Sequence, residues 1–131
     1  MKIRIDRADA IFSLYIRERD NWKCQRCGKI YDRDEANCLQ NSHYFGRGNE
    51  NTRFDPENCD SLCFGCHQYW GSENREDYRE FKIKQLGENG FKLLLVRANT
   101  YKKKDRKMSF IIWSEAYNQL CQEKNITPKK R

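Results

Sequence analysis

Apolar residues recur at helical spacing in four stretches of the chain and thin out between them. Ala8, Ile11, Phe12 and Tyr15 fall at i, i+3, i+4 and i+7, one face of a helix over about residues 6–20, with Asp6 or Asp9 as its cap. Trp22-Lys-Cys-Gln-Arg-Cys-Gly28 then reads as a tight turn presenting two thiols. Residues 29–57 are polar and carry Gly46, Gly48 and Pro56. They read as short strands and loops, with a hairpin through His43-Tyr44-Phe45 and Thr52-Arg53-Phe54. A second thiol turn, Cys63-Phe-Gly-Cys66, opens a short helix. A further helix is expected over about 74–86, with Tyr78, Phe81 and Leu86 inward and Asn74 as its cap. Gly87 to Gly90 breaks it, and Phe91, Leu94, Leu95 and Ala98 resume the stripe over 90–100. Lys102 to Lys107 is too charged to pack and reads as an exposed connection. Ser109 is the expected cap of a last helix with Trp113, Tyr117, Leu120 and Cys121 on its apolar face, stopped by Pro128 and the basic end.

The expected architecture is therefore α+β: a small zinc-stapled core over 22–74, an N-terminal helix over 1–21, a helical region over 75–125 and a basic tail over 126–131. Composition sharpens this. Only 37% of the 131 residues are hydrophobic against 34% charged, a thin apolar supply for a single domain. The net charge of +7 lies entirely in residues 97–131, which hold ten basic and three acidic side chains. A basic end on a neutral body, with Lys102, Lys103, Lys104, Arg106 and Lys107 at its front, suits contact with nucleic-acid phosphates. No apolar run is long enough to span a membrane, and the first twenty residues lack the unbroken apolar stretch of a secretion signal. The expected setting is a reducing cytoplasm, where paired cysteines signify metal rather than disulfides.

Cys24-x-x-Cys27 and Cys63-x-x-Cys66 are the strongest chemical signal. Two residues between thiols let one turn deliver both sulfurs to an ion, and two such turns complete a closed tetrahedral site for structural Zn²⁺. Cys38, Cys59 and Cys121 are left over, and Cys38 or Cys59 could still replace a ligand. The chain has two histidines, His43 between the cysteine turns and His67 directly after the last thiol.

Asn58 followed by Leu62-Cys-Phe-Gly-Cys-His67, with His43 upstream, resembles the motif of the HNH (ββα-metal) endonucleases. The flanks extend the likeness. Phe12-Ser-Leu-Tyr-Ile-Arg-Glu-Arg-Asp20, His43-Tyr44 with an Arg-Gly pair after it, Arg53-Phe54 and Tyr78-Arg79 resemble the lambdoid phage NinG/Rap recombination endonucleases. The resemblance implies a phage or prophage enzyme, acting in a bacterial cytoplasm, that cleaves branched DNA such as junctions, D-loops and flaps. It assigns His43 as general base, Asn58 as the residue that orients it, and His67 as ligand of a catalytic divalent ion: Mg²⁺ or Mn²⁺, with Ni²⁺ or Zn²⁺ also suited to a nitrogen donor. Arg47 and Arg53 would clamp neighbouring phosphates. Many HNH enzymes place Asp or His just before the general base, whereas this chain has Ser42. The ion would then have one firm protein ligand, with water, phosphate, Ser42 or Asn74 filling the remainder. Symmetric junction cleavage would suit a homodimer, with the apolar face of the last helix as its surface. The rival functional reading is a non-catalytic zinc-knuckle module that binds nucleic acid.

Overall fold

The computed structural model describes residues 4–35 and 38–129. Among the described residues four α-helices accompany a two-stranded antiparallel sheet, the α+β class that the sequence pattern leads one to expect. Helix α1, Arg7–Arg19, opens on a reciprocal cap: Asp6 accepts from the Asp9 amide at 3.1 Å and Asp9 accepts from the Asp6 amide at 3.0 Å. Its buried face includes Ala8, Ile11, Phe12 and Ile16. The helix ends where Asn21 and Trp22 both adopt left-handed backbone, φ 57° each. Left-handed backbone costs a residue with a Cβ about 1 kcal/mol or more. Two things hold it there. The Trp22 amide donates to the Arg17 carbonyl at 2.9 Å, and the indole is 3% exposed. This reversal aims the first thiol turn back at the sheet.

Strand β1, Leu39–His43, pairs with β2, Cys59–Cys63, in the register Leu39 opposite Cys63 and His43 opposite Cys59. Helix α2, Phe64–Gln68, follows β2 without a linker. The central unit is thus strand, strand, helix, with the first strand closing on His43 and the helix carrying His67. The second strand is not at Thr52-Arg53-Phe54, as the sequence suggests. That segment is a chain of turns: the Asn49 amide donates to the Gly46 carbonyl at 2.8 Å, and the Thr52 amide to the Asn49 carbonyl at 3.2 Å. The strand lies instead in Cys59-Asp-Ser-Leu-Cys63, whose polar residues are buried by partners rather than by hydrophobicity. Asp60 accepts from Lys82 Nζ at 3.0 Å, Gln85 Nε2 at 2.9 Å and the Tyr78 hydroxyl at 3.2 Å.

Asp60 and Lys82 are both fully buried, so removing one charge strands the other. Lys82→Met is expected to cost about 3–5 kcal/mol, read as a lowered urea midpoint. Lys82→Met with Asp60→Asn should recover most of that loss. If the two variants are equally unstable, the pair is not what holds β2 against α3.

Helix α3, Arg75–Ala98, is capped by Asn74, whose side chain accepts from the Asp77 amide. It is broken at the single residue Gly87, φ 78° and ψ 163°, rather than over Gly87 to Gly90, because one glycine suffices to leave helical backbone. Tyr78, Phe91, Leu94 and Ala98 face inward, while Leu95 is exposed. Helix α4, Arg106–Glu123, is capped by Asp105, which accepts from the Met108 amide, and not by Ser109. Arg106 and Lys107 therefore belong to a helix, and residues 99–105 form the exposed connection. The Trp113 face of α4 packs on α1, with ring centroids 4.7 Å from Phe12 and 5.1 Å from Tyr15. The face expected to serve a second copy is thus used within the chain. The basic end is no free tail as far as Lys129: the Ile126 amide donates to the Cys121 carbonyl, and the Lys129 amide to the Tyr117 hydroxyl. Lys130 and Arg131 lie outside the described residues. Among the described residues no helix is long and apolar enough to cross a membrane.

Candidate metal centre and histidine cleft

Cys24 and Cys27 sit in the turn after α1, and Cys63 and Cys66 flank the junction of β2 with α2. The four sulfurs lie within 4.8 Å of one another, with Cys27 and Cys63 3.9 Å apart. Disulfide sulfurs would be about 2.0 Å apart. Four sulfurs about 2.3 Å from a tetrahedral ion lie about 3.8 Å from each other. The cluster therefore fits a structural metal such as zinc. Gly28, at φ 81°, closes the first turn as its amide donates to the Cys24 carbonyl. Burial disfavours the Cys24 thiolate, yet amide donors from Cys27, Cys63 and Arg26 outweigh it and bring the thiol down to about 7. Burial instead pushes the Cys66 thiol up to about 12, so the metal assignment rests on the spacing of the four sulfurs. Cys59 and Cys121 are buried in the core, and Cys38 is exposed; none joins the cluster.

His43 ends β1, half-buried beside Phe12. Its Nε2 lies 2.9 Å from the Arg53 carbonyl. A carbonyl only accepts, so Nε2 carries the proton, and in the neutral ring Nδ1 keeps its lone pair. Burial and the charge of Arg47 push the imidazole down to about 4. Asn58 is fully buried and braces the loop beyond His43: Oδ1 accepts from the Phe45 amide at 2.8 Å, and Nδ2 donates to the Phe45 and Thr52 carbonyls at 3.0 and 3.1 Å.

His67 lies on α2 with Nδ1 2.5 Å from Gln40 Oε1, so Nδ1 is the donor and Nε2 has the free lone pair. This is how a metal-binding imidazole is held, its other nitrogen given to a carbonyl. His67 lines a cleft of about 430 Å³ between α1, β1 and α2, together with Ser13, Arg17, Gln40, Asn41 and Arg47. The positive charge of Arg47 lowers the proton affinity of both His43 and His67, after burial in each case. One guanidinium thus acts on both rings.

Several sequence-proposed residues are committed elsewhere. Arg53 is 6% exposed and forked onto Asp9, with contacts of 2.8 and 2.6 Å, so it braces the loop rather than a phosphate. The Ser42 hydroxyl lies 3.1 Å from the Tyr78 hydroxyl, and the Asn74 side chain caps α3 and donates to the Tyr69 hydroxyl. Arg106 is tied to Asp6 and Glu50. Lys102, Lys103, Lys104 and Lys107 are exposed, and Arg47 stands at the cleft. Sequence reasoning missed Gln40, Asn41 and Arg17 as cleft residues, and nothing in their spacing marks them.

The lowered His43 pKa has a consequence for stability. The unfolded ring titrates near 6.5, the folded one near 4, so between these values the unfolded chain holds more protons and stability falls as pH drops. His43→Gln removes this linkage while leaving the cysteines alone. From pH 7 to 4.5 the wild type should lose about 2 to 3 kcal/mol more than the variant. Parallel stability curves would mean that His43 is protonated as easily folded as unfolded.

No curated protein and no solved structure matches the chain. A family model described as bacteriophage lambda NinG protein matches residues 2–125, which spans α1, the cysteine cluster, both histidines and α4. With nearly all of its length covered by that match, the chain belongs to the NinG family of phage proteins.

Proposed function

We propose that this protein is an HNH-type endonuclease that hydrolyses DNA phosphodiester bonds, with branched recombination intermediates in the host cytoplasm as substrates. The observation that carries the reading is the strand-strand-helix unit, braced by four cysteines, in which both imidazoles are held in fixed tautomers with one nitrogen free. Membership of a phage family supports the recombination setting.

The chemistry follows from the free nitrogens. His43 Nδ1 takes a proton from a water whose oxygen attacks phosphorus, while the bond from phosphorus to the leaving 3′ oxygen breaks. Neutrality near pH 7 leaves His43 able to accept that proton. The Arg53 carbonyl, hydrogen-bonded to Nε2, stabilises the imidazolium that forms. Asn58 holds the loop behind the ring and keeps that geometry. His67 Nε2 would hold a divalent ion, which supplies Lewis-acid stabilisation of the phosphate charge. The donor set fits weak binding, since one imidazole nitrogen is the firm ligand and Ser42 and Asn74 are committed elsewhere.

One observation favours the non-catalytic nucleic-acid-binding module: among the described residues the cysteine cluster is the sole grouping of three or more His, Cys, Asp or Glu side chains able to hold an ion. A cleavage panel separates the two readings. Linear duplex, single strand, flap, D-loop and four-way junction are incubated with Mg²⁺ or Mn²⁺. Metal-dependent nicking of the branched forms is expected; binding without cleavage of any form would leave the module.

A further inference from the structure

Seven arginines are buried or half-buried among the described residues: Arg17, Arg19, Arg33, Arg47, Arg53, Arg97 and Arg106. Five of them hydrogen-bond a carboxylate. Arg19 pairs with Asp20, Arg33 with Glu18, Arg53 with Asp9, Arg97 with Asp55, and Arg106 with Asp6 and Glu50. The two exceptions are Arg17, which has no ion pair, and Arg47, whose approach to Asp9 is 3.9 Å and makes no hydrogen bond. Each has a buried Nε with no hydrogen-bond partner. Both line the cleft that also holds His67.

A buried guanidinium donor without an acceptor is costly, and two arginines that lack a carboxylate hydrogen bond on one cleft suit an anion. Asn41, which also lines the cleft, has a buried Oδ1 without a partner, and its amide nitrogen donates to Ser13 Oγ. A serine hydroxyl can donate as well as accept, so the Asn41 carboxamide can turn either of its ends to an occupant. Arg17 also lies over the Trp22 ring, 5.4 Å from its centroid, which fixes the guanidinium without using its hydrogen-bond donors.

We propose that Arg17, from α1, and Arg47, from the loop after β1, form a two-arginine clamp for a phosphodiester group at the His67 cleft. Planar guanidinium forks suit tetrahedral phosphate oxygens. The clamp deepens the nuclease reading and rests on it for the identity of the phosphate as the scissile one. Arg17 and Arg47 would position the substrate, while His43 performs the proton transfer.

The test uses the metal-loaded full-length protein and two readouts. Inorganic phosphate is titrated while the Nε–H resonances of Arg17, Arg47 and the ion-paired control Arg97 are followed by ¹⁵N NMR. The Arg17 and Arg47 signals should move together and saturate, with Arg97 unmoved, and Arg17→Gln should abolish the Arg47 shift. In parallel, junction cleavage by Arg17→Gln should fall at least 30-fold in rate at saturating DNA, with Arg17→Lys retaining an intermediate rate and with helix content and zinc content unchanged. Shifts without cleavage by any form of the protein would support the clamp and overturn the nuclease. Wild-type cleavage with unmoved Arg17 and Arg47 resonances, and full activity in Arg17→Gln, would overturn the clamp and leave the nuclease standing.

Discussion

Chelating the metal that the four-cysteine cluster can hold is expected to unfold the centre of this protein. The cluster joins the turn after α1 to the junction of β2 and α2, so it ties together the segments that flank both histidines. The apolar supply is thin, and the sheet has only two strands. Binding of zinc to such sites is worth on the order of 10 kcal/mol, as much as the whole stability of a small domain. Chelation, or Cys24→Ser, is therefore expected to collapse the near-ultraviolet circular dichroism of Trp22 and Trp70 and to strip much of the helical signal. Cys38→Ser, at an exposed thiol outside the cluster, should change neither. Purified protein that contains no metal and keeps the same urea midpoint after chelation would refute the assignment.

The second large effect is chemical. His43→Gln keeps an amide donor for the Arg53 carbonyl but removes the basic nitrogen, so the fold should be preserved and the proposed proton transfer lost. General-base catalysis contributes about 10²–10⁴-fold, and cleavage of a four-way junction should fall by about that factor. Junction affinity and zinc content should stay within twofold of wild type, because His43 makes no contact with the cysteine cluster. A variant that cleaves at the wild-type rate would take His43 out of the chemistry.

What could be read from the sequence was local. The spacing of Ala8, Ile11, Phe12 and Tyr15 and the Asp6–Asp9 cap are set within two turns of one helix, and the paired cysteine spacing is that of a site for one ion. The second strand was misplaced because its burial is bought by distant partners: Asp60 reads as a surface residue until Lys82 and Gln85 of α3 are set beside it. Arg53 illustrates the same limit in the opposite direction. Its type and place suggested a phosphate contact, yet Asp9, 44 positions earlier, takes its guanidinium. In the sequence Arg17 stands within the Phe12 to Asp20 stretch of the family likeness, but nothing there marks it as a cleft residue. What singles it out is the missing carboxylate, and an absent partner is visible only once the neighbours have been placed.

The central proposal is that His43 and His67 serve one phosphate, and a double-mutant cycle on junction cleavage under single-turnover conditions addresses it most directly. Groups that act on the same step do not contribute independently. His43→Gln and His67→Asn should each reduce the rate steeply, with the double variant no slower than the worse single one. Wild-type activity in either single variant, or losses that simply multiply in the double, would mean that the two imidazoles do not share a reaction centre.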